Sequence, residues 1–237
     1  MELIYLYDAY RSEINTRITG IQKENLSVQV EGSIFYPGGG GQPADIGHIL
    51  IENEKTEIVR TEKQDDGIWF ILDGHVLPEM GAAVSMRIDW DRRYQLMRTH
   101  TAMHILSGVI WRDYQAKVTG GNMEPLYGRM DFEFENMSKE LVNEIEIKIN
   151  QEVANARKIE VKILPREEAN QIPDLIRTKV NLLPAGLTEI RTVNIQGLDL
   201  QADGGTHVRD TSEVGNIRII EYKSKGRINK RVKLQLE

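Results

Sequence analysis

The chain has 237 residues, of which 40% are hydrophobic and 28% charged, with a formal net charge of −6. That balance is ordinary for a globular protein with room for one large domain or two modest ones, and the acidic sum argues against bulk attraction to nucleic acid. With no cysteine and no apolar run of 18 residues, disulfides, thiolate metal ligands and a membrane-spanning helix are excluded.

The first residues, MELIYLYDAYRSE, lack a basic stretch followed by a long apolar one, so no secretory signal is expected. The absence of cysteine fits a reducing compartment, and a cytoplasmic location is expected. Residues 1–89 read as a compact β domain. Leu26–Val30 and Ala83–Ile88 alternate apolar and polar positions, and turn signals recur at Gly20, Gly32, Gly47, Asp66-Gly67 and Asp73-Gly74. Short strands at this spacing suit a small barrel or sandwich.

Character changes at Asp89-Trp90-Asp91. Asp91 is a fair N-cap, and Tyr94, Met97, Thr101, His104, Ile105 and Gly108 recur at spacings of three and four, which predicts a helix over 91–113. Strands follow over 117–121 and 128–134, the second with Met130, Phe132 and Phe134 on one face. Ser138 caps a second helix, along which Leu141, Ile145, Ile149 and Val153 recur every four residues. Residues 159–164 read as a strand, and Pro165 opens a short helix with proline in its first turn. The interval 172–186 is the least regular and is expected to be a loop over the site. Strand-like patterning resumes near 187 and runs to the end. The fold class is α+β: a small β-barrel-like domain over 1–89, then an α+β domain over 90–237 with two long helices on an antiparallel sheet.

Two motifs concentrate chemistry. The chain has five histidines, and three of them fall in RTHTAMHIL and ADGGTHV. His100 and His104 stand one helical turn apart on one face. Asp203 and His207 bracket a double glycine whose backbone freedom allows both side chains to fold toward one ion. Three imidazoles and a carboxylate suit one Zn²⁺, with Fe²⁺, Mn²⁺ or Ni²⁺ also compatible with these donors. Thr101 stands where the HExxH motif has its glutamate, so this is not that protease signature. The run Gly38-Gly39-Gly40-Gly41, bracketed by Phe35, Tyr36 and Gln42, has no GK[ST] after it and is not a phosphate-binding loop of that kind. A basic strip, Lys223, Lys225, Arg227, Lys230, Arg231 and Lys233, offers phosphate contacts on an otherwise acidic chain; its alternative is a solvated strand face.

Three segments together resemble one family. SIFYPGGGGQPADIG is similar to the TxFYxxGGGQxxDxG stretch of the alanyl-tRNA synthetase editing domain. RTHTAMHIL resembles its NHTATHLL helix, and ADGGTHVRDTSEVG its CGGTHVxxTGEIG. Order and separation agree from about residue 20 to the end. The chain is too short for a synthetase catalytic domain and most resembles the free-standing AlaX editing proteins of the longer type, which keep the N-terminal β domain.

The resemblance implies a hydrolase that deacylates tRNA(Ala) mischarged with serine or glycine in trans, sparing alanine, with one zinc ion and no membrane partner. It implies His100, His104 and His207 as metal ligands, with Asp203 in the position of the family's usual cysteine. Direct ligation by Asp203, ligation through water and a three-histidine site all remain open. The implied catalytic residues are Ser33, Gln42 and Asp203. Gly38, Gly39, Gly40, Gly41 and Thr206 are the implied substrate-binding residues; from the local charge, Lys223, Lys225, Arg227, Lys230 and Arg231 are the expected nucleic-acid contacts. Ser33 stands where the family often has threonine and is the expected partner of a seryl hydroxyl. The competing readings are a metal-stabilised tRNA-binding module without catalysis and a metallohydrolase of small esters.

Overall fold

The structure is a computed structural model that describes residues 1–52, 54–74, 77–176 and 186–237. Of the loop expected over 172–186, residues 177–185 lie outside the described residues. The fold is α+β, and the chain divides into two compact units: Met1–Gly39 with Pro43–Tyr94, and Gly40–Gln42 with Gln95–Glu237.

Among the described residues the first unit contains eight strands: β1 (Glu2–Leu3), β2 (Glu13–Gln22), β3 (Ser27–Val30), β4 (Gly32–Ser33), β5 (Gly47–Ile51), β6 (Glu54–Gln64), β7 (Gly67–Asp73) and β8 (Ala83–Ile88). Six close into a barrel in the order β2-β3-β7-β6-β5-β8, and β1 pairs in parallel with β4. Strict alternation drives closure: Ile14, Thr16 and Ile18 of β2 point inward between exposed neighbours. The interior is filled by Ile18, Val28, Val30, Ile34, Phe35, Ile49, Phe70 and Met86, each no more than 2% exposed. Three expected turn glycines sit in strands instead of turns, Gly32 among them as the first residue of β4. Gly20 lies within β2 at a register shift, and Gly47 opens β5, where a Cβ would run into the Arg87 carbonyl and stand 2.8 Å from Ile88 Cα. Glycine marks a bulge and a close strand approach here rather than a turn.

One buried ion pair lies beside this core. Arg93 is fully buried and grips Asp45 through Nε and Nη2, while its Nη1 and Nη2 donate to the carbonyls of Ala9 (2.9 Å) and Ile34 (2.7 Å). Asp45 also accepts the Tyr36 N–H at 2.6 Å. Every group of the pair is therefore satisfied, as burial of charge demands.

Helix α1 (Trp90–Tyr114) supplies its first residues to the first unit and the rest to the second. Residues 99–110 are all buried, so this helix is covered on all sides rather than along one stripe. Next come β9 (Val118–Glu124), β10 (Tyr127–Glu133), α2 (Lys139–Ala154), β11 (Ile159–Pro165), α3 (Arg166–Ala169), β12 (Glu189–Ile195), β13 (Asp199–Ala202), β14 (Ile217–Ser224) and β15 (Asn229–Leu236). They form two antiparallel sheets where one was expected, of order β14-β15-β10-β9 and β11-β12-β13. Met103 of α1 packs against Gly121 and Gly128 of the first sheet, and Gly108 against Leu198 and Asp199 at the second. The central helix needs a sheet on each side to cover its apolar circumference.

Helix α2 begins at Ser138, whose hydroxyl accepts the Leu141 N–H, and buries Val142, Ile145 and Ile149. Asn150 ties it to β14 through both backbone groups of Ile217, at 2.8 and 2.9 Å. Pro165 ends β11 and serves as the N-cap of α3 instead of entering its first turn.

Candidate metal centre

Helix α1 presents His100 and His104 one turn apart, their ring centroids separated by 5.1 Å. The third imidazole arrives from the segment after β13. His207 stacks on His100 at 4.2 Å and meets His104 edge-on at 4.7 Å. Asp203 completes the group, and one ligand atom from each of the four residues lies within 4.8 Å of every other.

Backbone geometry explains why Asp203 and His207 turn inward. The Asp203 N–H donates to the Arg191 carbonyl (3.1 Å), continuing the β12 pairing. Its Oδ2 then accepts the Gly205 N–H at 2.9 Å, a local Asx turn that reverses the chain. The same Oδ2 lies 2.9 Å from His207 Nε2, and Oδ1 lies 3.6 Å from His100 Nε2. The Arg191 guanidinium donates to the Asp203 carbonyl at 2.8 Å and keeps a positive charge 3.8 Å from the carboxylate.

Each imidazole is gripped on its Nδ1 side by a different oxygen. His100 meets Gln42 Oε1 at 3.0 Å, His104 meets Asp199 Oδ2 at 2.9 Å and His207 meets Thr101 Oγ1 at 3.1 Å. Outer partners of this kind are what fix ring orientation in metal sites. Gln42 does more than hold His100. Its Oε1 also accepts the Thr206 N–H (3.0 Å) and its Nε2 donates to Thr206 Oγ1 (2.9 Å), so Gln42, Thr206 and His100 form one buried hydrogen-bonded unit.

The protonation state suits a cation. Burial pushes the His207 imidazole down to about 4, and His100 well below its ordinary value, so both rings are neutral near pH 7. Burial works upward on Asp203, but the imidazole edges of His100 and His207 outweigh it and hold the carboxyl well below the usual carboxylate range. Neutral imidazoles and an ionised carboxylate are the forms that ligate metal. This donor set, its spacing and its outer partners fit one divalent ion.

The glycine run is ordered backbone. Gly38, Gly39, Gly40 and Gly41 all have positive φ, a path open to glycine alone over four consecutive residues. In the first unit, Lys63 Nζ donates to the Gly38 carbonyl (3.1 Å) and Tyr36 OH to that of Gly39 (2.9 Å). In the second, the Met123 N–H donates to the Gly41 carbonyl at 3.1 Å. Ser33, in β4, is fully buried, and its Oγ accepts the Phe35 N–H at 3.1 Å.

The structure thus brings together Gln42, His100, His104, Asp203, Thr206 and His207. The basic strip lies on the β14–β15 hairpin, where several cations are already engaged. Lys230 is 7% exposed and donates to the carbonyls of Gly226 and Arg227, Arg231 makes a two-pronged pair with Asp131, and Lys223 and Lys233 share Glu221. Lys225 and Arg227 are exposed. Asp199 and Arg191 escaped sequence reasoning: nothing in the spacing ties Asp199 to His104, and Arg191 meets Asp203 only because β12 runs beside that segment. Thr101 sits inside the histidine motif but reads there as one more buried helix position.

Residues 190–233 match the family model described as threonyl and alanyl tRNA synthetase second additional domain. The alanyl-tRNA editing protein AlaX-M of Saccharolobus solfataricus is 36% identical over 98% of this chain and 97% of its own length. The AlaX-M protein of Methanosarcina barkeri is 30% identical over 98% and 97%, respectively. The AlaX-L protein of Pyrococcus horikoshii is 32% identical over 96% of this chain and 56% of its own length.

Proposed function

The chain belongs to the AlaX family of alanyl-tRNA editing proteins, and from that premise we propose that it deacylates tRNA(Ala) mischarged with serine or glycine and spares the alanyl ester. The carrying observation is the convergence of His100, His104, Asp203 and His207 on one point, with Gln42 and Thr206 braced beside it. No helix among the described residues is long and apolar enough to cross a membrane.

The reaction adds water across the ester carbonyl and expels the ribose hydroxyl of the terminal adenosine. Zinc is the metal we assign to His100, His104 and His207, and when bound it would supply Lewis acidity at the ester or an anchor for the substrate amine. The residues of the chain have separate tasks. Asp203 is ionised at neutral pH and orients the attacking water by accepting its hydrogen bond. Gln42 and Thr206 hold His100 and the reactive segment in place. Gly38 to Gly41 present backbone N–H groups and room for the aminoacyl end. Ser33 bonds the seryl hydroxyl: its oxygen already accepts the Phe35 N–H, and its own proton has no acceptor among the described residues. A site built to bond that hydroxyl is left unpaired by alanine, a difference worth up to about 10⁴–10⁵ in discrimination. Glycine has no hydroxyl, so this contact does not account for its cleavage. Of the basic strip, the exposed Lys223, Lys225 and Arg227 are assigned to the tRNA backbone, and binding should weaken as salt rises.

One observation favours a second reading. Four protein donors in mutual reach can close a metal shell, and closed zinc shells are structural, which would make this a tRNA-binding module without chemistry. Incubating the protein with seryl-, glycyl- and alanyl-tRNA(Ala) separates the two. Loss of the first two esters with survival of the third supports editing; survival of all three alongside tRNA binding supports the module.

A further inference from the structure

Asp199 is buried to 3% exposure at the start of β13, and its Oδ2 lies 2.9 Å from His104 Nδ1. The carboxylate is itself held, since the Gln201 side-chain amide donates to the same oxygen at 2.8 Å and reaches Ser107 Oγ at 3.3 Å. We propose that Asp199 is the positioning residue of the metal centre: it holds His104 with Nδ1 protonated, presents Nε2 to the ion, and makes His104 the strongest of the three imidazole donors. The proposal deepens the metal-centre reading above and rests on it.

The three outer partners differ in a way that ranks the histidines. Gln42 gives His100 a neutral amide oxygen, Thr101 gives His207 a hydroxyl, and among the described residues only His104 has a carboxylate on its Nδ1 side. A carboxylate raises the basicity of the imidazole it accepts from more than a neutral oxygen does. Helix α1 is shaped for this approach. Gly108 lies one turn beyond His104, and a Cβ there would stand 2.9 Å from Leu198 Cγ and 3.1 Å from Asp199 Cβ. A bare glycine face lets the turn before β13 settle on the helix and bring the carboxylate to the ring. Nothing else recommends glycine mid-helix, where alanine is the better former.

The test titrates zinc alone into the metal-free full-length protein against a chromophoric chelator, beside thermal unfolding of the metal-free form. Asp199→Asn keeps the size and removes the charge. The proposal expects its zinc affinity to fall by about 10–100-fold while the metal-free melting temperature holds. Gly108→Ala is expected to weaken zinc binding in the same direction despite its better helix propensity. Unchanged zinc affinity in Asp199→Asn overturns the proposal, as does a loss confined to metal-free stability. Should that variant fail to fold, nitrogen-15 imidazole spectra of the unmodified metal-free protein decide: a His104 protonated at Nδ1 supports the assignment, and one protonated at Nε2 defeats it. No tRNA enters these measurements, so their failure and a failure of deacylation are separate results.

Discussion

Gly205 passes so close to His100 that a Cβ on residue 205 would stand 2.5 Å from the ring's Nδ1 and 2.7 Å from the Gln42 Oε1 that meets it. Its neighbour Gly204 faces open space. The two adjacent glycines of the DGGTH segment therefore carry different demands. Gly205→Ala should displace the His100 ring and abolish metal binding, whereas Gly204→Ala should retain it. Metal content of the two purified variants checks the difference.

His104→Ala removes the ligand that Asp199 supports. Metal and deacylase activity should disappear together. Elemental analysis beside single-turnover hydrolysis of seryl-tRNA(Ala) reads both, and activity that survives metal loss would take the ion out of the mechanism.

Ser33→Ala deletes one buried hydroxyl and little volume. Cleavage of seryl-tRNA(Ala) should fall about tenfold, the worth of one lost hydrogen bond, with tRNA affinity unchanged. Equal single-turnover rates for variant and parent would remove Ser33 from substrate recognition.

Asp45→Ala strands the fully buried Arg93 guanidinium. Removing one partner of a buried ion pair costs about 3–5 kcal/mol, and chemical denaturation should show a loss of that size. A change below 1 kcal/mol would mean the pair is not held as described.

Acid stability depends on Asp113. Its hydrogen bonds to the Arg112 guanidinium lower the carboxyl most; burial works the other way, and Lys148 lowers it further, to about 2 from 3.8. The depressed folded value means the unfolded chain binds the proton more readily. The contribution is fully present above the unfolded pKa near 4 and is lost as pH falls toward 2. Asp113→Asn should therefore show a shallower loss of stability between pH 4 and 2, measured by urea unfolding at stepped pH.

Legibility in the sequence followed the range of the interactions. The barrel strands and both long helices rest on alternation and four-residue recurrence, which are local and so visible, as in Leu26–Val30 and Leu141 to Val153. The histidine pairs were visible for the same reason, each being a four-residue spacing. The splitting of the second unit's strands into two sheets was hidden, because it depends on which strands pair across α1. Gly20, Gly32 and Gly47 misled as turn signals, since glycine serves a bulge, a strand start or a tight strand approach equally well. Asp199 was invisible because its partner, His104, is 95 residues away and no periodicity connects them. Lys230 and Arg231 read as a free basic strip, yet one closes its own hairpin and the other pairs with Asp131.

The most direct measurement of the central claim follows seryl-tRNA(Ala) ester hydrolysis while zinc is added back to chelator-stripped protein. Hydrolysis should be absent without metal, rise with zinc and saturate at one ion per chain. Full hydrolysis by stripped protein, or none at saturating zinc, would contradict the account.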